Sequence, residues 1–340
     1  MKKISLIPFA VVTALLASCG SSVKAPKFAD KGNKVTTTQF AAAMLAAEAT
    51  NPYLMQVTSI ATVPNFNGKS YEMKESSKNV MTLNRNGKKI GESSSEQIDK
   101  QSGKYDSKNL AFSYNVSESH KTSENMPGSK QSSSKSVDED HVMQFGSWYD
   151  GQYLLDFNKE DKTASVVGSK VDPTLQLTQQ VICNLAVKSL GAALLAENDS
   201  TFTTIVSYLA ATEAGTYAPV AGAPTFTDCG VYQNSNVFTV EGTITSSPAG
   251  VITDYTYTST TKATYQIDLT QGKESVKYSI VSDSEVSVLK DTSLQGYALF
   301  SGDKVTMKSE HYFDGSIVDK DSTVKLVEQG DYKLPALPTA

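Results

Sequence analysis

The chain has 340 residues, a formal net charge of −5, and positive charge supplied by lysine apart from a single arginine, Arg85. The acidic balance argues against nucleic acid as a partner, and a lone arginine excludes a multi-arginine clamp for phosphate or carboxylate. Sixteen tyrosines against one tryptophan suit strands, whose half-buried pleated surface favours aromatic rings.

Lys2 and Lys3 open the chain, Ile4 to Leu15 is mostly apolar, and Leu16-Ala17-Ser18-Cys19 follows. The apolar run has the length of a signal-peptide core and is too short for the ~20 residues of a spanning helix. This arrangement resembles a bacterial lipoprotein signal with its lipobox. The resemblance implies a signal peptide over 1–18, removed on maturation, and a diacylglyceryl anchor on Cys19. It places the body at the cell membrane or outer membrane, facing the extracytoplasmic side. Each buried methylene contributes ~0.8 kcal/mol, so several acyl chains hold a protein where one releases it.

Residues 19–35 are polar and small, the composition of a flexible tether. Thr36 and Gln39 have capping-box spacing, and Phe40, Ala43, Met44 and Ala47 follow at helical spacing, so a helix is expected from 36 to the Asn51-Pro52 break. A unit over 36–170 then turns to period two. Leu110, Phe112, Tyr114 and Val116 alternate with polar residues, as a half-buried antiparallel strand does. Asn86-Gly87 and Asp150-Gly151 are hairpin dipeptides. The Ser/Lys-rich stretch 117–140 has almost no apolar residue and is expected to be a disordered insert or a long hairpin tip.

A second unit over 171–334 opens at Asp172-Pro173, an N-cap with proline behind it. Leu175, Ile182, Leu185, Ala186, Leu190 and Leu194 carry a helix to about 197, and Ser200 can cap the next, with Phe202, Ile205, Val206 and Leu209 on one face. Strands return from Val231. Tyr255, Tyr257, Ala263, Tyr265, Ile267 and Leu269 share one parity, either as one long strand or as two with a turn near Thr260. Tyrosines on that face suit either ligand contact or ordinary strand packing. Asp314-Gly315 is a further hairpin signal, and 335–340 is expected to be a loose tail. Trp148-Tyr149-Asp150-Gly151 parallels Tyr312-Phe313-Asp314-Gly315, which suggests a duplicated helix-plus-meander unit.

The fold class expected is therefore α+β, an antiparallel sheet covered by helices. Element order, the lipid anchor and the segment from Trp148 to Phe157 make the body similar to the half-barrel lipoproteins of the LolA and LppX type. That resemblance implies a curved sheet around an apolar cavity that carries acyl chains. It transfers no functional residue.

Chemistry is sparse. Cys183 and Cys229 remain in a disulfide-permissive compartment. A bridge would close a loop of about 46 residues and stabilise by ~4 kcal/mol, while the apolar setting of Cys183 equally suits an unpaired core cysteine. His120, His141 and His311 lack ligand spacing, no Cys-x-x-Cys exists, and no metal site or cofactor is expected. Asp138, Glu139, Asp140 and His141 form an acidic cluster whose bland reading is a solvated strand end. Asp156, Asn158 and Glu160 imitate a calcium loop that fails at Asp161 and Val167. Ser132-x-x-Lys135 and Ser21-x-x-Lys24 are chance matches in Ser/Lys-rich stretches. No nucleophile elbow, Walker loop or dinucleotide fingerprint is present.

With no catalytic residues expected, the leading expectation is a non-enzymatic binding or carrier protein for an apolar or amphiphilic ligand at the membrane. The alternative is a surface interaction protein, an adhesin or envelope assembly factor using the Ser/Lys-rich insert or a sheet edge. An enzyme would need a cleft gathering distant groups such as His141 and His311 with carboxylates.

Overall fold

The capping box forms as the sequence spells it: the Thr36 amide donates to Gln39 Oε1 (2.9 Å) and the Gln39 amide to Thr36 Oγ1 (3.2 Å). It opens helix α1 (Thr37–Thr50) of a computed structural model that describes residues 23–50, 69–106, 108–149, 151–167, 200–247, 254–320 and 322–336. Cys19, Cys183, the 1–18 signal and the helix expected over 172–197 lie outside the described residues.

Short β1 (Asn33–Val35) precedes α1. Six strands follow it: β2 (Lys69–Arg85), β3 (Lys88–Asp106), β4 (Ala111–Met126), β5 (Ser129–Trp148), β6 (Gly151–Asn158) and β7 (Thr163–Val166). Helix α2 (Ser200–Glu213) opens the second series: β8 (Thr225–Asn234), β9 (Val237–Ser246), β10 (Tyr255–Asp268), β11 (Ser275–Val288), the small hairpin β12 (Thr292–Leu294) and β13 (Tyr297–Leu299), and β14 (Lys304–Asp319). Twelve strands make one sheet in the order β1-β8-β9-β10-β11-β14-β2-β3-β4-β5-β6-β7. Every neighbouring pair in it is antiparallel. Two meanders, each preceded by a helix, thus join edge to edge where β14 pairs with β2.

The α+β expectation is corrected by this architecture. The fold is a β fold: among the described residues, two α-helices stand beside fourteen strands. Strand pairing, not helix cover, organises the chain. Helix α2 packs on β8, β9 and β10, and α1 packs on α2. Phe40 of α1 is buried against Phe202 (6.4 Å between ring centres) and Phe238 (5.5 Å). Glu213, at the end of α2, accepts from the Thr37 amide (2.9 Å) and hydroxyl (2.6 Å), so its carboxylate sits at the positive N-terminus of α1.

Three further expectations are resolved or corrected. Of the two readings of 117–140, the structure shows the long hairpin and not the disordered insert: β4 and β5 stay in register from Phe112↔Met143 to Met126↔Ser129, closed by Pro127 and Gly128 (φ 86°). Proline followed by a positive-φ glycine is the central pair of a type II turn. Asp314-Gly315 is no turn. Both residues lie inside β14, where Gly315 pairs with Val276 and Met73, and partners on both sides override the turn propensity. The parallel with Trp148 to Gly151, which does bracket a hairpin (Trp148↔Gly151), therefore has no structural counterpart. Finally, Pro335 in the expected loose tail is held, since Trp148 Nε1 donates to its carbonyl (3.2 Å). Lys333 bridges to Thr163 and covers the β7 edge.

Other expectations hold. Asn86 and Gly87 both take positive φ (51° and 74°) between β2 and β3, as a two-residue hairpin turn requires. Tyr255 to Asp268 is one strand. Residues opposite one another on neighbouring strands share a face, and the core lies mainly on one face. Its larger cluster runs from Phe40, Ile205 and Phe238 through Tyr265, Tyr278 and Phe313 to Tyr71, Phe112 and Leu154. A second cluster, Leu83, Val286 and Val305 under Leu299, occupies the other end of the same face. Between them runs a hydroxyl belt in which Thr261 meets Ser282 (2.8 Å) and Ser284 donates to Ser259 (2.9 Å).

Candidate functional site

The register carries Tyr71 (β2), Gly103 (β3), Tyr114 (β4) and His141 (β5) side by side across the core face. Tyr105, Phe112, Met143 and Asp156 form the next row. A Cβ at Gly103 would collide with the Tyr71 ring, so glycine lets that ring lie across β3 toward Phe112. Tyr71 stacks on Phe112 (6.2 Å), Phe112 on Tyr114 (5.6 Å) and Tyr114 on His141 (4.6 Å). An aromatic ladder thus leads from the apolar interior to a polar end.

At that end, Tyr114 donates to Asp156 Oδ2 (2.6 Å), and His141 places Nδ1 3.1 Å from Asp156 Oδ1 and Nε2 3.3 Å from Glu139 Oε2. The bond to Asp156 raises the His141 pKa above its ordinary value, burial opposes this, and Glu139 adds to it. Two carboxylates on the two ring nitrogens favour the imidazolium. Burial, then the adjacent Asp156, pushes the Tyr114 phenol well above its ordinary range, so it stays protonated and donating.

Tyr71 completes the site. It is 4% exposed, and its hydroxyl is buried without a hydrogen-bond partner among the described residues. Burial raises its pKa strongly. It shares a row of the core face with Tyr114, with Gly103 of β3 between them. An unsatisfied buried hydroxyl costs about 1–3 kcal/mol, which a polar group delivered to this point would recover.

The sequence-derived candidates divide. Alternation splits the acidic run: Glu139 and His141 face the core, while Asp138 and Asp140 face the other side, where Asn115 Nδ2 donates to both (3.1 Å each). Asn158 accepts from the amides of Glu160 (2.9 Å) and Asp161 (3.0 Å), closing the β6–β7 turn. Among the described residues, no group of His, Cys, Asp and Glu is placed to hold a metal. His311 sits 2.7 Å from Glu75 Oε1 and 3.2 Å from the Tyr278 hydroxyl. Four strand spacings, ~19 Å, separate it from His141, so the two histidines form no common centre. Cys229 has no disulfide partner among the described residues, which exclude Cys183, and its Sγ lies 3.3 Å from the Thr227 carbonyl. Arg85 is committed to Asp303 through two 2.7 Å bonds and lies over the Phe300 ring. The tyrosines of β10 divide between clusters, with Tyr265 in the larger and Tyr255 and Tyr257 against the smaller.

Sequence reasoning reached Tyr114, His141 and Asp156 separately and missed Tyr71. The only signal for Tyr71 is its parity with Met73 on β2, which polar neighbours obscure.

No family model matches the chain, and no curated protein matches it in sequence. Among solved structures it is similar to lipovitellin, in a structure of lipid–protein interactions, at 9% identity and TM-score 0.21, covering 76% of this chain and 26% of that one. It is also similar to the outer membrane protease OmpT from Escherichia coli, at 7% identity and TM-score 0.20, covering 76% of this chain and 99% of that one. The chain thus spans about a quarter of the lipovitellin chain it matches. Likeness at these scores carries no argument about function.

No helix among the described residues is long and apolar enough to cross a membrane. Membrane-spanning strands need an apolar residue at every second position. Residues 117–125 and 129–136 of β4 and β5 offer none on either face.

Proposed function

We propose that this protein is an extracytoplasmic lipoprotein, anchored through a diacylglyceryl group on Cys19, that binds an amphiphilic ligand on the core face of its sheet. The apolar part of the ligand lies along the aromatic ladder. Its hydrogen-bonding head meets Tyr71 beside the Tyr114–His141–Asp156 cluster. The observation that carries this reading is the buried Tyr71 hydroxyl, which has no partner among the described residues, beside an aromatic cluster in which Tyr114, His141 and Asp156 are paired with one another.

Organic extraction of protein purified from its native membrane, followed by mass spectrometry, tests the reading. It expects an amphiphile in stoichiometric amount, in addition to the acyl chains covalently held at Cys19. Protein that carries none, and takes up none from mixed vesicles, would overturn it. Metabolic labelling with a fatty acid tests the anchor separately: label is expected in the wild type and absent from Cys19→Ser.

A second reading, a surface interaction protein such as an adhesin or envelope assembly factor, is favoured by one observation. Among the described residues, the outer edge of β5 has no strand partner before His141. A pull-down that captures an envelope protein with the wild type, and loses it when 117–140 is deleted, would support that reading.

A further inference from the structure

Strand β5 is twenty residues long, but β6 pairs with it only from His141 to Trp148. On its other side β5 is paired with β4 from Ser129 to Met143. Among the described residues, the half from Ser129 to Asp140 is therefore an internal strand on one side and an open edge on the other. Its side chains from Lys130 to Ser136 are all exposed.

The direction of its free peptide groups follows from the last bonds on that edge. Lys159 donates its amide to the Asp140 carbonyl (2.8 Å), and the Asp140 amide donates to Glu160 Oε2 (2.7 Å). In an antiparallel ladder, alternate residues turn both backbone groups to the same neighbour. The register between β4 and β5 has no bulge, so residues 138, 136, 134, 132 and 130 also present N–H and C=O outward. Asp140 is already satisfied, which bounds the open edge at Asp138. Unpaired edges of this kind are templates for another strand.

We propose that this edge pairs antiparallel with the same edge of a second copy of the chain, about a two-fold axis at Ser134. Three requirements choose the register. Outward-facing residues must meet outward-facing residues, like charges must not lie opposite one another, and the outward-facing basic and acidic residues must meet. Centring on Ser134 satisfies all three: Lys130 falls opposite Asp138, Ser132 opposite Ser136, and Ser134 opposite itself. Centring one residue later would place Lys135 opposite Lys135. The edge is self-complementary because its basic residue and its acidic residue stand at opposite ends of the open stretch. Lys130 has no ion pair within the described residues, and Asp138 gives one oxygen to Asn115 and keeps the other.

Sedimentation velocity of the full-length protein in detergent, over a hundredfold range of concentration, tests this. A monomer–dimer equilibrium is expected. Lys130→Glu and Asp138→Lys are each expected to weaken the dimer at least tenfold. The double variant, which restores opposite charges across the axis, is expected to recover to within about threefold of the wild type. Ser134→Cys should also cross-link to dimer with a short bis-maleimide, above the background of the native cysteines and of a Lys290→Cys control. Both charged positions are exposed surface, and circular dichroism confirms that the variants fold. A monomer at every concentration would overturn the proposal. So would a dimer indifferent to the single substitutions, or a double variant no better than either.

Discussion

Replacing Tyr71 with phenylalanine removes one oxygen and keeps the ring that stacks on Phe112 and lies over Gly103. In most proteins such a change breaks a hydrogen bond and destabilises. Here the hydroxyl is buried without a partner among the described residues, so its loss removes a desolvation penalty of about 1–3 kcal/mol against a void no larger than one atom. A net gain of about 1–2 kcal/mol is expected for protein stripped of ligand. Unfolding entropy near 2 cal/mol/K per residue gives roughly 0.6 kcal/mol/K for a chain of this size, so Tm should rise by about 2–3 °C. Calorimetry on delipidated wild type and Tyr71→Phe measures it. With an amphiphile bound the sign should reverse, because the ligand's bond to Tyr71 is then lost. A Tm that falls by a similar amount in the stripped protein would refute the reasoning, since the hydroxyl would then have a partner of its own.

Asp156→Asn weakens the acceptor of both Tyr114 and His141 and should cost about 1.5–3 kcal/mol at pH 6, measured by chemical denaturation. The His141 pKa is raised in the folded state. Its contribution to stability is therefore fully present below about pH 6.5, the unfolded value, and is lost as pH rises through the folded one. An NMR titration of the imidazole should show that raised value in the wild type and its return toward normal in Asp156→Asn. Asp303 is held below the usual carboxylate range by its bond to Arg85. Its contribution is present above about pH 4 and disappears as pH falls through the lowered value, and Arg85→Gln should flatten that acid limb in a Tm-versus-pH series. Phe40→Ala should destabilise by about 3–5 kcal/mol in denaturant titration, because the ring is buried between α2 and β9.

Where one local rule acted alone, the sequence was legible. The Thr36–Gln39 capping box, the Asn86-Gly87 turn and the single parity from Tyr255 to Ile267 all stand as read. Residues 117–140 left a disordered insert and a hairpin tip both open because period-two reading depends on contrast between faces, and this part of β4 and β5 is polar on both. Their order comes from ladder bonds and contacts such as Thr122 to Ser133 (2.7 Å), which leave no hydropathy trace. Asp314-Gly315 misled because turn propensity is local, whereas β14 is fixed by thirteen-residue and longer pairings on either side. The site was legible only in pieces: Tyr114, His141 and Asp156 stood out singly, but their meeting depends on the register of three strands. Tyr71 carried no signal, since a missing hydrogen bond is a property of the fold.

The central claim is that the aromatic face holds an amphiphile whose head meets Tyr71, and titration of delipidated protein with a fluorescent amphiphile tests it most directly. Saturable binding at one site per chain is expected, weakened about tenfold in Tyr71→Phe while that variant's unliganded Tm rises. No saturable binding, or equal affinity in wild type and Tyr71→Phe, would contradict it.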